Sequence, residues 1–160
     1  LPGEEYFYDY RWGNVHIFVL DTNKDVSPAS DQYQWFVKAV AESDAPWKVV
    51  QHHQPAYTSD SNDYGDTWKG PSSWGDVRIQ EHLVPLYEQF GVDVVFNGHI
   101  HVYERTWPLR AGQVDEDNGV TYVTTGGGGG HLDGAGLYGR HSGPAHHRDC
   151  EDASRHNIGD

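Results

Sequence analysis

Short apolar runs alternate with stripes of helical period along residues 6–96, and this alternation limits the fold more than any other feature of the chain. Tyr6 to Tyr10 alternates aromatic and polar residues, and Val15 to Leu20 is a short, mostly apolar run. Both are predicted strands, with Gly13-Asn14 as the hairpin turn between them. Ser30 or Asp31 caps a predicted helix carrying Tyr33, Phe36, Val37, Val40 and Ala41 at 3.6-residue spacing, and Pro46 ends it. Trp47 to Gln51 is a further strand. Residues 54–77 hold several Gly, Pro, Ser and Asp and read as a long loop, a feature often functional in a compact domain. Val77 to Phe90 is a predicted helix with Ile79, Leu83, Leu86, Tyr87 and Phe90 on its apolar face. Pro85 kinks it and Gly91 stops it. Val92 to Phe96 has the apolar bias of a central strand. The order of strands and helices predicts a layered α/β fold with parallel pairing.

Two more strands are expected around Val102 to Leu109 and Val120 to Thr125, joined by a turn at Asp115 to Gly119. The glycine run Gly126 to Gly130 lacks a following Lys-Ser/Thr and opens no helix. It reads as a flexible connection at the edge of the site. Residues 131–160 are rich in Gly, His, Arg and Asp with almost no apolar periodicity, and read as a loosely ordered tail. The folded domain is thus expected over residues 1–130.

A chain of 160 residues has room for one core or for part of a larger domain. Its formal net charge of −13 argues against nucleic acid and anionic membranes as partners. No apolar run approaches the ~20 residues of a membrane-spanning helix. Cys150 is the only cysteine, which excludes an intrachain disulfide and any cysteine-cluster metal site. The chain has no Met, so Leu1 is not expected to be a natural start and an upstream segment is expected. Histidine, with 11 copies, is the unusual count.

Histidines sit directly after two predicted strands. His52 and His53 follow Trp47–Gln51, and His99 and His101 follow the next strand in Asn97-Gly98-His99-Ile100-His101. In open α/β sheets ligands bind at the carboxyl ends of strands, so both segments face one edge. Imidazole is the commonest metal-ligating side chain. Gly98 allows a tight bend that aims His99 and His101 inward. In the tail, His141, His146, His147, Cys150 and His156 match no zinc spacing.

These residues resemble a known family. Val50-Gln51-His52-His53-Gln54-Pro55 is similar to the V-x-x-H block of calcineurin-like metallophosphoesterases, and Gly98-His99-Ile100-His101 to their G-H-x-H block. The extension Val102-Tyr103-Glu104-Arg105 resembles the G-H-x-H-x-Y-E-R of the purple acid phosphatase branch. The resemblance covers roughly residues 1–130. It implies an α/β fold, the C-terminal half of an αββα sandwich of mixed sheets flanked by helices. It implies phosphate monoester hydrolysis of the acid phosphatase type, in preference to diester cleavage, by a hydroxide bridging two metal ions. The metals implied are iron with zinc, manganese or iron. By position, His53 and His99 resemble ligands of the second metal, and His101 a ligand of the first. Tyr103, Glu104 and Arg105 are expected to steady the G-H-x-H loop, and His52 to sit beside the ligands. Substrate contact falls to Tyr57, Asn62, Tyr64, Trp68 and Lys69, because residues 56–77 contain no histidine. The resemblance also implies export from the cell and a small phosphate-ester substrate.

Three earlier blocks of the family, D-x-[HG], G-D-x-x-Y and G-N-H-[DE], have no counterpart. Gly65-Asp66, Gly75-Asp76 and Gly13-Asn14-Val15-His16 are decoys by context. The chain is therefore expected to carry part of a dinuclear site, to need the N-terminal half of the same domain, and to be weak or inactive alone. The competing expectation is a non-catalytic α/β module that binds metal or a partner.

Overall fold

The computed structural model describes residues 6–58 and 75–129 and the backbone of a strand at 147–151. The hairpin forms as expected: β1 (Tyr8–Trp12) pairs antiparallel with β2 (Val15–Val19). Helix α1 (Asp31–Ala41) starts at Ser30, whose side chain accepts the Tyr33 N–H and satisfies an otherwise orphaned donor. Strand β3 (Trp47–Gln51) and strand β4 (Val94–Asn97) follow, β2, β3 and β4 all being parallel neighbours.

The stretch predicted as one kinked helix is two. Helix α2 (Val77–His82) ends at Leu83 and helix α3 (Val84–Phe90) begins there, with Pro85 in its first turn. Proline lacks the N–H that would continue the ladder, so the break falls just before it. Gly91 closes α3 in the left-handed conformation, with φ of 64°.

The predicted strand over 102–109 is likewise divided. Strand β5 (Tyr103–Thr106) stops before Trp107-Pro108, and a small hairpin follows, β6 (Leu109–Arg110) with β7 (Gln113–Val114). Its turn places Ala111 and Gly112 at φ of 49° and 69°. Alanine is an uncommon residue at such φ, so the turn left no signal. Strand β8 (Thr121–Thr125) lies parallel to β4 and antiparallel to β5. Strand β9 (His147–Glu151) pairs antiparallel with β5. This strand falls within the segment read as a loose tail. An edge strand is held by main-chain hydrogen bonds and need not show apolar alternation. The sheet runs β1-β2-β3-β4-β8-β5-β9.

One row of side chains shows how the sheet is covered. Phe18, Val50, Val95 and Tyr122 lie side by side on four parallel strands. All are buried and share a cluster with Phe36 and Val40 of α1, Ile79 of α2, Leu83 at the junction and Tyr87 of α3. The next rows, one residue along, point to the other face. They run Tyr10, Ile17, Val49, Val94, Thr121 and Tyr8, Val19, Gln51, Phe96, Val123. Here Tyr8, Tyr10 and Phe96 are about 40% exposed and Ile17, Val19, Val49 and Val94 only half-buried. Among the described residues the helices thus cover one face of an apolar sheet and leave the other largely open, Val123 being buried there.

Candidate metal centre

The parallel ladder delivers the two histidine segments to one edge. His52 N donates to Phe96 O at 3.1 Å as the last rung beyond β3, and Gly98 N donates to His53 O at 3.0 Å across the two turns. A cleft of about 600 Å³ opens at this edge, lined by Val19, Leu20, Gln51, His52, His53, Phe96, Asn97, Gly98 and Thr125.

His53 Nε2 and His99 Nδ1 face each other at 3.1 Å, with the rings nearly perpendicular. Two imidazole nitrogens each ~2.0–2.1 Å from one ion, and meeting near a right angle, stand about 3 Å apart. The pair therefore fits the geometry of two ligands on one cation. Burial, then the neighbouring His99, pushes the His53 pKa down, which favours the neutral form a metal needs. His99 holds φ of 69°, a left-handed conformation that is uncommon for a residue with a side chain and clusters at functional sites.

His101 is half-buried on the same loop. Among the described residues no group of three or more His, Cys, Asp or Glu side chains converges as a metal cage, so His101 does not complete one with His53 and His99. Asp21 is not among the site residues that the sequence singles out. It follows β2 at the same edge, and its negative charge acts on His53. The strand-end rule that picked out the histidines applies equally to this aspartate.

His52 is buried, and burial pushes its pKa down to about 4, so the ring is neutral. It stacks on Tyr87, and its Nδ1 lies 3.0 Å from Asn97 Nδ2. Glu104, 2% exposed, accepts from Thr58 Oγ1 at 2.7 Å and ties the start of β5 to the chain beyond β3. Tyr103 and Arg105 flank it on β5, paired with Thr125 and Val123. Tyr57 packs edge-on against Tyr122 at 4.9 Å, at the margin of the core. Burial raises its pKa to about 12. Asn62, Tyr64, Trp68 and Lys69 lie outside the described residues, as do His141, His146 and His156. Two of the three decoys have structural roles, and Gly65-Asp66 lies outside the described residues. Asp76 caps α2 and pairs with Arg78 at 2.5 Å, and His16 bridges Asp9 at 3.0 Å and Ser43 at 2.8 Å.

The glycine run has a rigid beginning. A Cβ on Gly126 would stand 1.8 Å from Ile100 O and 2.6 Å from His101 Cα. The end of β8 therefore presses on the backbone of the His99–His101 loop, and only glycine fits.

The sequence model of the calcineurin-like phosphoesterases matches residues 2–103. Purple acid phosphatase 18 of Arabidopsis thaliana is 33% identical over 126 residues, which is 77% of this chain and 26% of that protein. Probable purple acid phosphatase 20 of the same plant is 32% identical, over 77% of this chain and 28% of its own length. A solved purple acid phosphatase from yellow lupin (Lupinus luteus) seeds shares the fold with a TM-score of 0.68 at 25% identity, over 78% of this chain and 23% of that one. The chain spans about a quarter of the length of the curated relatives it matches. With the family match running through both histidine blocks, the chain belongs to the calcineurin-like phosphoesterase family.

Proposed function

We propose that this chain forms part of a metal-dependent acid phosphatase that hydrolyses small phosphate monoesters. The observation that carries the reading is the His53–His99 pair, 3.1 Å apart at the carboxyl ends of two parallel strands. His53 and His99 would hold one ion, and His101, two residues on, would serve a second. The proposed ions are iron with zinc, manganese or iron. When bound, two such cations neutralise charge on a phosphoryl group and activate water. The chain's own contribution is to hold imidazole nitrogens at a fixed separation beneath an open cleft. Phe96 and Gln51 line that cleft and would flank a bound ester.

Residues outside this chain would provide the remaining ligands, among them the aspartates of the D-x-[HG] and G-D-x-x-Y blocks. They would also supply the sheet that covers the open face at Tyr8, Tyr10, Val19, Val49 and Phe96. The chain alone would then be weak or inactive. Its acidic balance disfavours nucleic acid as a substrate. Among the described residues no helix is long and apolar enough to cross a membrane. Export from the cell belongs to the same proposal. A second reading rests on the absence of a three-residue cage among the described residues: a module that binds one ion without turnover.

The test is hydrolysis of an aryl phosphate monoester and an aryl phosphodiester. The chain is assayed alone and joined to the three absent blocks taken from a purple acid phosphatase. The joined form should cleave the monoester, His99→Ala should abolish this, and the chain alone should be near inert. A joined, folded form that binds metal without cleaving either ester would establish the module instead.

A further inference from the structure

Every side chain that could ligate a metal here stands on a turn beyond the sheet, past the regular rungs of the strands. The ladder ends at His52 N and Phe96 O. His53 and His99 lie past that rung, yet their nitrogens meet at 3.1 Å. The Gly98–His53 hydrogen bond ties the two turns through the main chain, and side chains tie them further.

The Asn97 side chain is placed to do so. Its Nδ2 lies 3.0 Å from His52 Nδ1 and 3.4 Å from Gln54 O. His52 and Gln54 are the residues on either side of His53, and Asn97 stands two residues before His99. One amide therefore spans both flanks of the first histidine from the strand that carries the second. An amide nitrogen only donates, so in this contact the His52 ring nitrogen facing it accepts. His52 and Asn97 are 4% and 5% exposed. A buried polar group left without its partner is costly, so each holds the other to one geometry.

Both ends of the clasp are anchored. The His52 ring stacks on Tyr87 of α3, centroids 6.1 Å apart. Gln54 hydrogen-bonds the Thr22 hydroxyl and donates to Asn23 Oδ1 at 2.8 Å, beyond β2. Arg78, paired with the buried Asp76, reaches Thr22 O at 3.4 Å. The turns after β2, β3 and β4 are thus tied to each other and to the helical layer by side chains.

We propose that His52 and Asn97 are positioning residues that preset the His53–His99 separation for a metal ion. The proposal rests on the metal-binding reading above. Neither residue touches the ion. Both act through the turns that carry its ligands, as partners outside the ligand shell commonly do.

The test is a cobalt(II) titration of the 160-residue chain, followed by its visible absorption bands, with circular dichroism to verify folding. Asn97→Leu and His52→Phe keep volume, and the second also keeps the stacking on Tyr87. Each should weaken cobalt binding about 10–100-fold and change the band shape. His52→Asn restores an acceptor near the Nδ1 position and should return affinity to within a few-fold of wild type. If one variant fails to fold, the other decides. Wild-type affinity and bands in the folded variants would overturn the proposal and leave the metal reading intact. No cobalt uptake by wild type would overturn both.

Discussion

His53 Nε2 and His99 Nδ1 stand 3.1 Å apart although 46 residues separate them in the chain. Two parallel strands bring their turns to one edge, and the Gly98–His53 hydrogen bond joins the turns. A Cβ on Gly98 would sit 3.5 Å from His53 Nδ1, in ordinary contact. The His53 ring is thus packed against the bend that presents His99.

The glycine run should show sharply unequal tolerance to alanine. Gly126→Ala forces a methyl into the Ile100 carbonyl, whereas a Cβ on Gly128 meets nothing within 4 Å. Overpacking of this kind costs about 1–3 kcal/mol. Gly126→Ala should lower the unfolding midpoint and disturb the His99–His101 loop, and Gly128→Ala should change neither. Urea unfolding of the two variants, with histidine ring resonances as the local probe, checks this.

The two faces of the sheet should respond differently to truncation. Phe18 is fully buried between the strands and α1, and meets Phe36 edge-on at 5.5 Å. Phe18→Ala should cost about 3–5 kcal/mol. Phe96 is 40% exposed on the open face, and Phe96→Ala should cost no more than about 1 kcal/mol. In a form that carries a covering sheet, the same Phe96→Ala should cost clearly more. Equal costs in both forms would show that nothing packs on that face.

Alkaline pH should unfold the chain through its buried phenols. Burial holds the Tyr57 pKa up at about 12, with a smaller push from Glu88, and raises Tyr87 and Tyr122 well above the usual value. In the unfolded chain Tyr57 ionises near 10. The unfolded state therefore loses its proton first. The contribution of Tyr57 is complete below pH ~10 and is lost as pH rises towards ~12. Allowing for partial exposure, this is roughly 1–2 kcal/mol. Tyr57→Phe removes the ionisation and should flatten the fall in stability over that window. Denaturant titrations at stepped pH measure it.

The layered α/β order was legible because Val15–Leu20, Trp47–Gln51 and Val92–Phe96 are short apolar runs, and Phe36, Val40, Ile79 and Leu83 recur at helical spacing. The histidine pair was legible because His53 and His99 directly follow strands. Asn97 and Asp21 were harder to see. Their roles depend on which strands lie side by side, and the register is a tertiary property. The break at Leu83 was visible only as a kink at Pro85. Gly126 looked like slack because a close backbone approach leaves no trace in composition. Strand β9 lacked a signal because its pairing with β5 is carried by the main chain.

The most direct measurement is metal content per chain, by elemental analysis of the purified protein beside His99→Ala. If His53 and His99 form half of a dinuclear site, the chain should retain less than one weakly held ion, and His99→Ala should lose it. Close to two ions per chain would contradict the half-site account, and an unchanged content in His99→Ala would contradict the role of the pair itself.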